Sequence, residues 1–101
     1  MKPPEDMTAI IDRKRYSTTT ATLLAGDDYW DGRNYERSGR NTFLYRTPRG
    51  NYFAVYLSRW QGEADSIEPL SQDEAISLFE GMREQRVAFE EAFPDVKVEE
   101  A

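Results

Sequence analysis

The side chains able to do chemistry in this chain are carboxylates, arginines and phenols, because its 101 residues include no histidine and no cysteine. That excludes imidazole and thiolate metal sites, cysteine nucleophiles, disulfide scaffolds and every histidine-based triad. Proton transfer near neutral pH would need a carboxyl raised, or a phenol lowered, far from its ordinary pKa by burial or charge. Ser17, Ser58 and Ser71 have no histidine to activate them, and no Ser-x-x-Lys pair is present. The glycines are scattered and no Gly-Lys-Ser/Thr phosphate loop occurs. Asp27-Asp28-Tyr29-Trp30-Asp31-Gly32 invites a calcium-loop reading, but Tyr29 and Ser38 stand where the third position needs an acidic or amide ligand and the twelfth a bidentate Glu. The expectation is a protein that is not an enzyme, with no cofactor and no metal.

Two sets of residues remain as binding surfaces. Residues 1–59 carry ten Lys/Arg against seven Asp/Glu, giving +3, whereas residues 60–101 carry three against twelve, giving −9, within a formal net charge of −6. The first set is the acidic series Asp73, Glu74, Glu80 and Glu84, which would hold a cationic partner by charge-assisted bonds to Arg or Lys. The second is basic and aromatic: Arg46, Arg49, Tyr52, Tyr56 and Trp60. Cations interleaved with rings are the composition by which single-stranded nucleic acids are bound, each base–ring stack adding about 1–3 kcal/mol. The competing reading is that the rings pack the sheet while the arginines neutralise the acidic half. The net negative charge favours it, since it opposes phosphate binding at long range.

The elements that must position these residues are readable in part. Phe43-Leu44-Tyr45-Arg46 and Tyr52-Phe53-Ala54-Val55-Tyr56-Leu57 flank Thr47-Pro48-Arg49-Gly50, a hairpin turn in which Pro48 presets φ and Gly50 accepts a positive one. Phe53, Val55 and Leu57 alternate with Tyr52, Ala54 and Tyr56, so both faces of that strand are apolar or aromatic. Such a strand is either central between two layers or exposes an aromatic surface. Ser71 and Glu74 form a capping box ahead of a helix whose stripe is Ala75, Leu78, Phe79 and Met82, with Gly81 as its terminator. A second short helix is expected over Val87–Phe93, stopped by Pro94, and Val96 and Val98 alternate as in an edge strand. Ser17 is expected to cap one helical turn at 18–21, running into a strand over 22–30, and Asp27–Arg40 reads as a loop.

The resulting expectation is an α+β domain over residues 9–98: a small antiparallel sheet of three to five strands around the central 43–57 hairpin, packed by two C-terminal helices. Residues 1–8 read as a flexible segment, with Met7 an alternative start, and 99–101 as an acidic tail. The N-terminus has no apolar stretch of the signal-peptide kind and no run long enough to span a bilayer, so the expected location is cytoplasmic.

Four stretches, Lys14–Ala21 (Lys-Arg-Tyr-Ser-Thr-Thr-Thr-Ala), Leu44–Phe53, Pro69–Ala75 and Phe89–Pro94, together resemble a family of short bacterial proteins carried on phages and integrative elements. The resemblance spans most of residues 13–94, rests on hairpin and capping patterns, and carries over no catalytic residue. It implies a gene serving a mobile element, whose small proteins often block host defence enzymes. The expected function is therefore a non-catalytic inhibitor or accessory protein that docks on a host protein such as a CRISPR-type nuclease complex. The alternative is a small nucleic-acid-binding domain.

Overall fold

The structure, a computed structural model, describes residues 6–26, 40–58, 65–82 and 84–101. Residues 27–39 of the loop expected over Asp27–Arg40, the acidic stretch 27–32 within it, the end of the strand expected over 22–30, and Trp60 lie outside the described residues, whereas Arg40 is already in a strand.

A first hairpin pairs β1 (Thr8–Ile11) with β2 (Lys14–Ser17), Ile11 opposite Lys14. Its two-residue turn is Asp12-Arg13, with φ of 51° and 65°. Positive φ at both positions is what a tight hairpin turn requires to match strand twist. Of the 1–8 segment expected to be flexible, residues 1–5 lie outside the described residues, and the end of the segment is already ordered. Thr8 is already in a strand, and the Met7 amide donates to the Thr18 hydroxyl at 2.9 Å. The turn of helix expected after Ser17 is a single turn closed by the Ala21 amide donating to the Ser17 carbonyl at 3.1 Å.

The main sheet comprises β3 (Thr22–Gly26), β4 (Arg40–Arg46), β5 (Tyr52–Ser58) and β6 (Ser66–Leu70), and the short β7 (Glu84–Gln85) completes it. Their order is β6-β5-β4-β3-β7, and every pair is antiparallel. The central hairpin forms as expected: Gly50 has φ +87°, its amide donates to the Thr47 carbonyl at 2.9 Å, and Arg46 faces Tyr52. Helix α1 (Gln72–Gly81) follows β6, and the one-turn α2 (Phe89–Ala92) follows β7. The fold is α+β.

The two-sided apolar strand is central. On one face Leu24, Leu44 and Tyr52 are buried under Ala75, Phe79 and Met82 of the α1 region and Ala92 and Phe93 of the α2 region. On the other, Phe43, Tyr45, Phe53 and Val55 are buried with Tyr16 of the first hairpin. A register shift between Leu23 and Ala25 in β3 inserts one extra residue, so that Leu24 and Ala25 both serve the helix-side core while Leu23 packs on the other.

The capping box of α1 is complete: the Glu74 amide donates to Ser71 Oγ at 3.1 Å, and the Ser71 amide to Glu74 Oε1 at 2.9 Å. Its end differs from expectation. Gly81 is the last helical residue and is not left-handed; Met82 leaves in an extended conformation. The Phe79 carbonyl is instead satisfied by the Met82 amide at 3.2 Å and the Gln85 side-chain amide at 2.9 Å. Helix α2 is shorter than the expected Val87–Phe93 and joins a ring cluster, Phe93 lying 5.1 Å from Phe89 and 5.5 Å from Phe79. No strand forms at Val96 and Val98, because β7 occupies the edge beside β3. Among the described residues, no helix is long and apolar enough to cross a membrane.

Candidate functional site

Beside the edge strand β6, the helix-covered face of the sheet opens into a shallow groove against the start of α1. Tyr56, Glu68, Asp73 and Glu74 line it above Leu70 and Leu78. Tyr56 lies four residues beyond Tyr52, so the period-two alternation of β5 turns it to the same side as the helices. Glu68 is opposite Ala54, which makes it the diagonal neighbour of Tyr56 on that face. The capping box fixes Asp73 and Glu74 in the first turn of α1.

The Tyr56 hydroxyl donates to the Glu68 carboxylate. Burial above all, then the charge of Glu68, this hydrogen bond and the charge of Glu74 raise the Tyr56 phenol above its ordinary 10.0. Glu74 is held below its ordinary 4.5 by hydrogen bonds from the Ser71 backbone and side chain, against a small opposing effect of burial. Both shifts lead away from neutral pH, so neither group exchanges protons there. The groove presents fixed negative charge. Residues 65–82 carry five carboxylates and no Lys or Arg, so nothing in that segment offsets it.

The four acidic residues singled out by sequence do not form one cluster. Asp73 and Glu74 line the groove. Glu80 is exposed on α1, seven residues from Asp73 and on the same helical side, one turn beyond Ser77. The backbone of Glu84 pairs with Gly26 in β7, at the sheet edge farthest from β6. Glu68 takes the place that reading left empty. Its place beside Tyr56 is not readable from the sequence because Pro69 interrupts the strand pattern, although proline is tolerated on an edge strand.

The basic and aromatic set is dispersed as well. The Tyr52 ring is buried 5.0 Å from Phe93, and its hydroxyl donates to the Ala92 carbonyl at 2.9 Å, so it presents no face for stacking. Tyr56 is committed to the acidic groove. Arg46 is half-buried, with a buried Nε that has no hydrogen-bond partner. Only Arg49 joins a cationic neighbourhood. It meets Arg13, Lys14 and Arg15 around a recess between the two hairpin turns, on the face opposite the groove. No aromatic hairpin surface of the expected kind assembles among the described residues, since Tyr52 is in the core and Tyr56 lines the acidic groove.

Among the described residues no group of three or more acidic side chains is placed to hold a metal ion. Comparison of the chain with protein-family models, with curated proteins and with solved structures gives no match.

Proposed function

We propose that this chain is a non-catalytic binding protein, a mobile-element-encoded inhibitor or accessory protein whose acidic groove docks on a cationic, nucleic-acid-handling host protein such as a CRISPR-type nuclease. The observation that supports this reading is the gathering of carboxylates at the groove, with no cation among its described lining residues. Tyr56, Glu68, Asp73 and Glu74 converge there, and Glu80 extends the same side of α1. A channel built to receive nucleic-acid phosphates offers arginine and lysine donors at its surface, and spaced carboxylates satisfy them with charge-assisted hydrogen bonds. Complementary charge also steers the encounter and makes association strongly salt-dependent. The mobile-element and defence-enzyme parts of the proposal come from the sequence resemblance.

Titration of a purified CRISPR-type effector nuclease with this protein tests the reading. Inhibition or binding is expected to weaken with added salt and to fall at least about tenfold when Glu68 and Asp73 are both replaced by lysine, as for loss of close charge pairs. Undiminished binding by a folded Glu68→Lys/Asp73→Lys variant would remove the groove from the interface.

A further inference from the structure

At the end of the sheet where β4 turns into β5, the first hairpin brings its own turn alongside. Arg13, Lys14 and Arg15 come from the first hairpin and Arg49 from the second, and they surround a recess of about 500 Å³. Among the described residues none of its lining side chains is acidic. Thr20 and Asn51 add uncharged donors.

The floor is fixed rather than adaptable. Tyr16 is buried with its ring edge-on to Phe53 at 5.5 Å, which pins β2 to the sheet. The second turn is closed by three bonds: the Thr47 amide to the Asn51 carbonyl at 2.7 Å, the Gly50 amide to the Thr47 carbonyl at 2.9 Å, and the Asn51 amide to Thr47 Oγ at 3.0 Å. Arg13 stands at φ 65°, a conformation that glycine or asparagine adopts far more readily than a long side chain. A cation is therefore held at a position where the backbone favours another residue, and such local strain concentrates at functional positions.

We propose that this recess is a binding site for a polyphosphate chain, such as the triphosphate of a nucleotide or free tripolyphosphate. Four cations around one small volume carry more charge than a single carboxylate neutralises, and three of them are arginines, whose planar forks match phosphate oxygens. Among the described residues the one lining ring, Tyr16, is packed into the core and offers no face to a base, so the site reads the phosphates. This site lies beyond the acidic-groove reading and uses none of its residues, so either stands if the other fails.

Calorimetric titration at low ionic strength with sodium tripolyphosphate, ATP and an unphosphorylated single-stranded oligonucleotide is the test. Tripolyphosphate and ATP are expected to bind with similar affinity, weakening steadily with salt. The Arg15→Ala and Arg49→Ala variants are each expected to lose about tenfold in affinity, as for removal of one charge-assisted contact. Arg13→Gly should weaken binding while raising the unfolding temperature, because it removes a cation and the backbone strain together. Absence of tripolyphosphate binding by the folded protein, or binding unchanged in the two alanine variants, overturns the site. An oligonucleotide without terminal phosphates that binds as tightly as tripolyphosphate overturns the polyphosphate assignment.

Discussion

The hydroxyl of Tyr52 donates a hydrogen bond of 2.9 Å to the backbone carbonyl of Ala92, forty residues further along the chain. One phenol thereby ties the middle of the sheet to the one-turn helix α2, an element too short to stand on its own propensity. The Tyr52 ring packs on Phe93, which meets both Phe79 and Phe89, so the bond anchors the whole ring cluster. Tyr52→Phe keeps the ring and orphans a buried carbonyl. It is expected to cost about 1 kcal/mol, or about 4–8 °C in unfolding temperature for a domain of this size. An unchanged melting temperature would mean that the bond contributes nothing to the docking of α2.

The capping box at Ser71 and Glu74 makes a prediction about acid. Ser71→Ala removes the acceptor for the Glu74 amide and should destabilise by about 1 kcal/mol. Because the carboxyl of Glu74 is held below its ordinary 4.5, its contribution to stability is fully present above that value. It is lost as pH falls through the lowered folded-state pKa. Glu74→Gln can still accept from the Ser71 amide but does not titrate. Denaturant midpoints of the two proteins measured from pH 6 downward should therefore converge in acid, the wild type losing more. Parallel curves would contradict a role for the ionised carboxylate.

What the sequence disclosed about this fold was local. Thr47-Pro48-Arg49-Gly50 and Ser71-Gln72-Asp73-Glu74 carry their geometry within four residues, and both form as read. The β1–β2 hairpin escaped notice because Asp12-Arg13 has none of the glycine or asparagine that announces a tight turn. Strand β6 was masked by Pro69, and β7 is two residues long and exists only by pairing with β3. The sites were still less legible. Arg49 reaches Arg13 and Arg15 only through the packing of the first hairpin on the main sheet, and Glu68 reaches Tyr56 only through the pairing of β6 with β5. The alternation of β5 did show that both its faces were apolar, but not which layers covered them.

Gly50 tests the hairpin turn between β4 and β5. Its φ is +87°, and a Cβ built there would lie 3.3 Å from Arg46 Nη2. The clash is with the end of a flexible side chain, so the backbone conformation sets the cost. Gly50→Ala is expected to destabilise by about 1–2 kcal/mol, as for an L-residue forced into the left-handed region. Gly50→Asn should cost less, because asparagine tolerates that region. Equal losses for the two variants in denaturant unfolding would show that steric contact outweighs the backbone term.

The Tyr45 phenol should govern the alkaline limit of the fold. Its ring stacks on Phe53 at 5.2 Å with an interplanar angle of 8°, inside the core beneath the first hairpin. Burial pushes its pKa up to about 12, partly opposed by the charge of Arg86. A folded-state value above the ordinary 10.0 means the folded protein keeps a proton that the unfolded chain releases. Stability is thus unaffected below pH 10 and falls as pH rises from there toward 12. Absorbance titration should show Tyr45 as a late-ionising phenol, with Tyr56 also delayed by its burial and by Glu68. Tyr45→Phe, which has no proton to lose, should unfold less steeply with pH above 10 than the wild type. If its alkaline midpoint and slope match the wild type, the driving ionisation belongs to another group.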